Sequence, residues 1–414
     1  MKRNKVIPFI LTAIVLTSCG SKFYDKVDPD FGATDNHELY EISDTKAYSE
    51  TYFKMHGRYY LDSQRDVCFF DFSSSGFEVT FNGTALEACL YTTNANSDKN
   101  RPYLAVNVDN DYDPEHAIPI QLTNGKHSNC DGFENGFFVH NHVTLVSGLT
   151  SGEHTIRVYK RSECLNSKVG VKSISTDGTI LPVNAKEFDL KMEFYGDSVT
   201  CGYAVESPDY YERFSTRTEN SMKTYANYAA NALNADVSHI SCGGYPMYKS
   251  KYSQGCTPDN IPDMVSLASV DYQTTNPHVW DNSKFVPDVI VIALGANDGS
   301  LFDWSNPNSE YNQNLLTNYK SSYASFIATL RTLYGSEPLI VVSDEIILLY
   351  ERYQSIMDEI VSESNDPNLI RVHMNAYNEA HDRVLPGEGH PNKEMHQIAG
   401  DELATAIRNK LSGN

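Results

Sequence analysis

The hydrophobic pattern of the chain changes once, between residues 182 and 190, and this change constrains the fold more than any other feature. Before it, short β-type runs follow one another, separated by turn residues at 73–76, 82–83 and 150–152. After it, apolar strands alternate with helical segments. A series of strands without helices is typical of a sandwich or jelly roll, whereas strand–helix alternation is typical of a parallel sheet covered on both faces. The sequence therefore predicts two domains of different class.

We assign the first domain to residues 46–182 as a jelly-roll β-sandwich. Its β-type runs are VCFFDF, FEVTF, EACLYTT, YLAVNVD, FFVHNHVTLV, HTIRVYKR and VGVKSIST. The second domain, residues 188–414, is predicted to be α/β with a doubly wound parallel sheet. Its predicted strands are 191–195, 237–241, 286–294, 338–343 and 369–374, and its predicted helices are 221–235, 311–334, 350–362 and 392–411.

The N-terminus has the form of an export signal. Lys2, Arg3 and Lys5 precede an apolar run over residues 6–16, which is too short to span a membrane, and Leu-Thr-Ser-Cys, a lipobox, ends at Cys19. We therefore expect a lipoprotein signal peptide over residues 1–18, a lipidated Cys19 and a polar tether over residues 19–45. This predicts a protein of the bacterial cell envelope that meets the membrane only through its lipid anchor.

Charge and cysteine content exclude other classes of protein. The chain has 33 Lys plus Arg against 54 Asp plus Glu, a net charge of -21, so its field repels nucleic acid. Eight cysteines include no C-x-x-C pair, and neither a metal nor another cofactor is expected. The connectivity of any disulfide stays open; Cys201–Cys242 and Cys242–Cys256 are both possible pairs, beside free buried thiols.

Four short segments follow strands or precede the last helix, where a parallel sheet binds its ligands. They are Gly-Asp-Ser at 196–198, Cys-Gly-Gly-Tyr at 242–245, Gly-Ala-Asn-Asp at 295–298 and Gly-His-Pro at 389–391. Each alone is ordinary, since Gly-Asp-Ser also suits a turn with a helix cap. Together they place a hydroxyl, glycine N–H groups, an amide and an imidazole at one sheet edge, the set that ester hydrolysis needs.

In this order the segments resemble the SGNH (GDSL) hydrolase superfamily. The longer stretches YGDSVTCGY, WDNSKFVPDVIVIALGANDGS and GHPNKEMHQIAGDEL, with SGEHTIRVYKRSE before them, resemble carbohydrate esterase family 2. The resemblance implies a jelly roll followed by an SGNH domain, and removal of acetyl groups from acetylated polysaccharides or oligosaccharides such as those of xylan and mannan. It also implies Ser198 as nucleophile, His390 as base, and Ser198, Gly244 and Asn297 as oxyanion donors.

The resemblance is incomplete at the third catalytic position. Most SGNH hydrolases have an Asp three residues before the catalytic His, and here that residue is Gly387. Some members of carbohydrate esterase family 2 use a Ser–His dyad whose imidazole N–H is accepted by a backbone carbonyl, and we favour this arrangement. Glu388 or a more distant acid such as Asp382 remain alternatives, and His381 competes with His390 for the role of base.

Aromatic residues near the proposed site suggest sugar contacts. Trp304, Tyr245 and Tyr203 are candidates for stacking on sugar faces, although each also suits ordinary packing. Two other functions stay open: a carbohydrate-binding lipoprotein without activity, and an esterase acting on acetylated peptidoglycan or lipid. The intact Ser198, Asn297 and His390 favour an active esterase.

Overall fold

The computed structural model describes residues 38–41, 51–93, 98–122, 138–209, 211–270, 278–347, 351–376 and 387–413. The signal peptide, Cys19, Cys130, His381 and Asp382 lie outside these residues. Residues 51–182 are called the N-terminal region below, and residues 188–413 the C-terminal region.

The N-terminal region consists of antiparallel strands. Strand β1 (Glu38–Glu41) precedes this region and pairs with it. The strands of the region itself are β2 (Lys54–His56), β3 (Tyr59–Asp62), β4 (Val67–Phe70), β5 (Gly76–Gly83), β6 (Leu86–Thr93), β7 (Tyr103–Val108), β8 (Ile118–Gln121), β9 (Phe138–Val146), β10 (Gly152–Lys160), β11 (Val169–Thr176) and β12 (Thr179–Leu181). One sheet has the order β3-β4-β11-β6-β9 with β1 on β11, and the other has the order β12-β5-β10-β7-β8 with β2 on β5. Apolar side chains from both sheets, such as Leu90 and Val171 from one and Val79 and Val158 from the other, form one core.

Strand β1 lies within the segment predicted to be a tether. Its residues pair with Ser173–Thr176 of β11, so the exclusion of residues 19–45 from the fold is wrong for residues 38–41. The segment ELYE has only four residues and no apolar run, and backbone hydrogen bonds to a neighbouring strand give no signal in its own sequence.

The C-terminal region is built on a five-stranded parallel sheet in the order β14-β13-β15-β16-β17. Its strands are β13 (Leu190–Gly196), β14 (Ala235–Ser241), β15 (Val289–Ala293), β16 (Leu339–Ser343) and β17 (Leu369–Val372). In chain order this is 2-1-3-4-5, a doubly wound arrangement whose switch point lies between β13 and β15. The predicted parallel sheet is confirmed.

Helices cover both faces of this sheet. They are α1 (Ser198–Cys201), α2 (Tyr225–Ala232), α3 (Glu310–Tyr334), α4 (Glu351–Glu363) and α5 (Lys393–Leu411). Side chains of α3 and α4 pack on one face with Ile290 and Ile340, and those of α2 and α5 pack on the other with Val291 and Val341. Both faces of each central strand are therefore buried, which explains why these strands read as continuous apolar runs.

The cysteine pairs considered from the sequence do not form. Within the described residues, no disulfide joins Cys201 to Cys242 or Cys242 to Cys256. The Cys201 thiol lies 3.3 Å from the Ser241 hydroxyl, and the sulfur atom of Cys242 lies 3.5 Å from that of Cys164. Cys164 belongs to the N-terminal region, far from Cys242 in sequence, so the sequence gave no reason to expect this contact.

Candidate active site

The sequence-predicted site residues meet at the carboxyl edge of the parallel sheet. Ser198 follows β13, Gly244 follows β14, Asn297 follows β15, and His390 precedes α5. The switch point between β13 and β15 opens a crevice at this edge, because the helices that follow these strands run to opposite faces.

Ser198 begins a single helical turn, α1, close to the end of β13. Asp197 caps the turn by accepting a hydrogen bond from the Val199 N–H at 3.0 Å, and Gly202 ends it in the left-handed conformation. The side chain of Ser198 is nearly buried, with 8% of the residue exposed. Its Oγ lies 2.9 Å from His390 Nε2, within hydrogen-bond distance. The hydroxyl and the imidazole are thus placed for proton transfer.

The second nitrogen of the imidazole is held by the backbone. His390 Nδ1 lies 3.2 Å from the carbonyl oxygen of Gly387, so an Nδ1–H would donate to this oxygen and leave Nε2 free to accept from Ser198. Glu388 has a left-handed backbone, with φ of 56°, and its carboxylate accepts a hydrogen bond from the Tyr203 hydroxyl at 2.5 Å. Among the described residues, the acceptor at Nδ1 is therefore a carbonyl, and Glu388 is bonded elsewhere.

The surroundings of His390 favour a neutral ring. Burial lowers the pKa of His390 to about 4, although the Gly387 carbonyl and the charge of Glu388 oppose this shift. The ring also stacks on Tyr203, with ring centroids 4.1 Å apart. At pH 7 the imidazole is neutral and can accept the Ser198 proton.

Gly244 presents its backbone to the crevice in a conformation that glycine favours. Its φ is 81°, and an added Cβ would lie 3.0 Å from Cβ of Tyr252. The neighbouring Gly243 N–H is already used, because it donates to Glu163 at 2.6 Å. Glu163 comes from the N-terminal region, so that region fixes the loop that carries Gly244.

The amide of Asn297 is held by two acceptors. Its Nδ2 lies 2.5 Å from Asp197 Oδ2 and 3.3 Å from the carbonyl oxygen of Tyr245. The contact with Asp197 orients the amide, while the longer contact with Tyr245 is the weaker of the two. An oxygen atom of a substrate can compete for this second N–H.

Sequence reasoning missed the buried carboxyl groups that hold these loops. Asp298 accepts hydrogen bonds from the N–H groups of Met247 and Tyr248 at 2.9 and 2.8 Å, and burial raises its pKa to about 7. Asp298 was visible only as part of the Gly-Ala-Asn-Asp segment, and Glu163 lies 80 residues from its partner Gly243. Neither contact has a local signal, because each joins loops that are distant in sequence.

The structure corrects two of the three predicted sugar-stacking residues. Tyr245 is 2% exposed, so its ring cannot meet a sugar. Tyr203 stacks on His390 at 4.1 Å and on Phe214 at 4.6 Å, and two rings at these distances occupy opposite faces, which leaves neither face for a sugar. Trp304 is 56% exposed, and its role in stacking on a sugar stays a prediction.

Two further histidines of the C-terminal region, His239 and His396, have structural surroundings. His239 and His396 are buried, which lowers the pKa of each to about 3. His396 Nδ1 accepts a hydrogen bond from the Tyr225 N–H at 3.1 Å, which joins α5 to α2. Within the ranges that the structure describes, no group of three or more His, Cys, Asp or Glu side chains could hold a metal ion.

Two curated proteins resemble the chain over much of its length. An "Acetylxylan esterase / glucomannan deacetylase" of Cellvibrio japonicus is 26% identical over 377 residues, covering 89% of this chain and 92% of that protein. "Cellulase/esterase CelE" of Acetivibrio thermocellus is 28% identical over 275 residues, covering 65% of this chain. The chain matches only 31% of the length of CelE.

Solved structures share the fold. A family two carbohydrate esterase from Cellvibrio japonicus superposes with a TM-score of 0.71 at 22% identity, covering 91% of this chain and 98% of that one. A family two carbohydrate esterase from Clostridium thermocellum, in complex with cellohexaose, gives 0.70 at 24% identity, covering 87% of this chain and 99% of that one. The sequence profile of GDSL-like lipases/acylhydrolases matches residues 192–403, more than half of the 414 residues. The chain belongs to the GDSL-like lipase/acylhydrolase family.

Proposed function

We propose that the protein is a carbohydrate O-acetyl esterase that removes acetyl groups from polysaccharides related to xylan and mannan. The observation that carries this proposal is the 2.9 Å contact between Ser198 Oγ and His390 Nε2 at the carboxyl edge of the sheet. A serine hydroxyl paired with a neutral imidazole is the nucleophile and base of acyl-enzyme chemistry. No step of this chemistry requires a cofactor.

Acylation follows from the positions of these groups. Ser198 Oγ attacks the acetyl carbonyl carbon while its proton passes to His390 Nε2, and the carbonyl oxygen becomes the oxyanion of a tetrahedral intermediate. The N–H groups of Ser198 and Gly244 and the amide of Asn297 are the donors we assign to this oxyanion. The C–O bond to the sugar then breaks, and the imidazolium returns its proton to the sugar oxygen, which leaves as a hydroxyl.

Deacylation uses the same groups. Water donates a proton to His390 Nε2 and attacks the acetyl-serine carbonyl carbon, Ser198 Oγ regains this proton from the imidazolium as its bond to the acetyl group breaks, and acetic acid leaves and loses its proton to the solvent. The imidazolium forms twice in each cycle. The Gly387 carbonyl and the Glu388 carboxylate both favour the charged ring, so the dyad we propose retains some electrostatic support without an acid bonded to Nδ1.

The choice of a glycan substrate is supported by the relatives. One has "glucomannan deacetylase" in its name, and a structural neighbour holds cellohexaose. Trp304 is exposed near the end of the segment that carries Asn297, and an exposed indole is suited to stacking on a sugar ring.

Acetate release from a panel of substrates tests the proposal. Purified protein is incubated with acetylated xylan, acetylated glucomannan, O-acetylated peptidoglycan and a simple acetyl ester, with Ser198→Ala as the matched control. We expect acetate from the plant polysaccharides and the simple ester, and a loss of more than about a thousandfold in Ser198→Ala. Release of acetate from peptidoglycan alone would favour an esterase that acts on acetylated peptidoglycan. Binding of glycan without any release of acetate would favour a carbohydrate-binding protein.

We also propose that the two antiparallel sheets, whose apolar side chains form one core, make up a jelly roll.

We further propose that Cys19 anchors the mature protein to the bacterial envelope. The motif at residues 16–19 supports the anchor, and none of the described helices is long and apolar enough to cross a membrane. The Cys19→Ser variant, expressed in a bacterium fed radiolabelled palmitate, should lose the label and move from the membrane fraction to the supernatant. Equal labelling of both forms would contradict the proposed anchor.

A further inference from the structure

Two buried carboxyl groups lie behind the proposed oxyanion site. Asp197, directly after β13, is 1% exposed, and Glu345, two residues after β16, is 2% exposed. Within the described part of the chain, their hydrogen-bond partners are N–H groups and each other rather than cations. Because burial of an unpaired charge is costly, both carboxyl groups cannot be ionised here at neutral pH.

The two groups hold consecutive residues of the segment that follows β15. Glu345 Oε1 accepts a hydrogen bond from the Ala296 N–H at 2.9 Å. Asp197 Oδ2 accepts from Asn297 Nδ2 at 2.5 Å, and its Oδ1 accepts from the Val199 N–H at 3.0 Å. One carboxyl group therefore fixes the backbone before Asn297, and the other fixes its side chain.

A proton is required between the two carboxyl groups. They lie within hydrogen-bonding reach of each other, and two carboxylate oxygens attract only when one of them carries a proton. Both oxygens of Asp197 already accept N–H groups, whereas Glu345 Oε2 is buried and receives no donor from the described residues. Burial and the neighbouring Asp197 raise the pKa of Glu345 well above its ordinary value. The proton therefore resides on Glu345.

We propose that Glu345, protonated and donating to Asp197, is a positioning residue for the oxyanion donor Asn297. This inference rests on the proposed esterase function. The chain of contacts runs from Glu345 to Asp197 to the Asn297 amide, with a parallel contact from Glu345 to the Ala296 backbone. An oxyanion donor contributes mainly in the transition state, and its contribution depends on fixed orientation. Loss of Glu345 should therefore lower kcat more than it raises KM.

The test compares Glu345→Gln with Glu345→Leu on p-nitrophenyl acetate. Glutamine keeps an oxygen for the Ala296 N–H and an N–H for Asp197, so it imitates the protonated acid, whereas leucine provides neither. We expect Glu345→Gln to keep kcat within about threefold, and Glu345→Leu to lose about 10- to 100-fold in kcat with KM within about threefold. Asp71→Asn is the matched control, since Asp71 is a buried carboxyl group that bonds Ser269 and Val270, and its kcat should equal that of the wild type.

A double-mutant cycle separates positioning from general damage. If Glu345 acts through Asn297, Glu345→Leu should cost less than about twofold in an Asn297→Ala background. The same loss in both backgrounds, an equal loss in Glu345→Gln, or an unchanged kcat in folded Glu345→Leu would overturn the proposal. If Glu345→Leu does not fold, Glu345→Asp replaces it in the cycle, because its shorter side chain cannot reach both partners. An inactive wild type would instead refute the proposed function, which these variants do not test.

Discussion

At the scale of single residues, the chemistry of the site depends on which atom accepts the hydrogen bond from Nδ1 of His390. The Gly387 carbonyl oxygen is 3.2 Å from Nδ1, and the carboxylate of Glu388, two residues before His390, accepts from the Tyr203 hydroxyl. A carbonyl orients the ring, but it provides only a partial charge to the imidazolium.

Replacement of Glu388 by Gln tests this arrangement. The change keeps the shape and removes the charge, so under the dyad we expect activity to fall less than about tenfold, whereas His390→Ala should eliminate it. Because the charge of Glu388 raises the pKa of His390 from the low value that burial sets, the imidazole should titrate below about 4 in the variant. NMR titration of labelled histidine measures this shift. A loss of about ten-thousandfold in Glu388→Gln would instead make Glu388 a third catalytic member.

At the scale of elements, the sequence predicts best the helices and strands that have a continuous hydrophobic pattern. The predicted helix 311–334 and strand 338–343 agree with α3 and β16 within one residue. The short strands β2, β3, β8 and β12 were not predicted, because three or four residues carry too little periodicity. The predicted helix 221–235 divides into a 3-10 turn at Ser221–Lys223 and α2, with Thr224 between them in an extended conformation.

The loops were the least predictable elements of the site. The sequence correctly predicted that Gly244 and Asn297 lie at the carboxyl edge of the sheet, because the carboxyl ends of parallel strands share that edge. It gave no sign that Glu163, Asp298 and Glu345 hold those loops, since each contact joins segments that only the folded chain brings together. It also left open which aromatic rings are buried, which is why Tyr245 and Tyr203 were wrongly included as sugar contacts.

The loop after β14 allows a sharp test of the oxyanion donor at Gly244. Gly244→Ala adds a Cβ 3.0 Å from Tyr252 to a residue with φ of 81°, so Tyr252 or the loop must give way by a few tenths of an ångström, and we expect the N–H of residue 244 to move. Gly335→Ala is the control, because Gly335 has the same φ and nothing within 4 Å of an added Cβ. Both variants should lose about 1 kcal/mol of stability from backbone strain. Only Gly244→Ala should lose about a hundredfold in kcat, and equal kcat in the two variants would remove Gly244 from the oxyanion site.

At the scale of the whole molecule, the N-terminal region is part of the catalytic framework. Glu163 reaches the Gly243 N–H beside the oxyanion site, and its own N–H donates to the buried carboxyl group of Glu219 in the C-terminal region at 3.1 Å. Such buried polar contacts are favourable only when both regions are in place. We therefore expect the two regions to unfold together, in one transition.

Arg58 provides the strongest test of this coupling. It is completely buried, and its guanidinium donates to the carbonyl oxygens of Met264, Val265 and Leu267 at 3.1, 2.9 and 2.9 Å and to Glu193 at 3.3 Å. Arg58→Ala leaves the Glu193 carboxylate buried without its cation, which should cost about 3–5 kcal/mol. Arg217→Ala is the matched control, because Arg217 is 48% exposed in its side chain and pairs with Glu212 at the surface, a pair worth about 0–1 kcal/mol.

Hydrogen exchange distinguishes loss of coupling from local damage. Arg58 lies in the N-terminal region, yet it bonds the loop before β15, so its removal should increase exchange of the most protected amides in β10 and in β15 by the same factor. Denaturant unfolding of the variant should remain a single transition with a lower midpoint and an unchanged slope. If the amides of β10 exchange faster while those of β15 keep their wild-type protection, the two regions unfold independently, and the N-terminal region would be an attached module rather than part of the framework that holds Gly244.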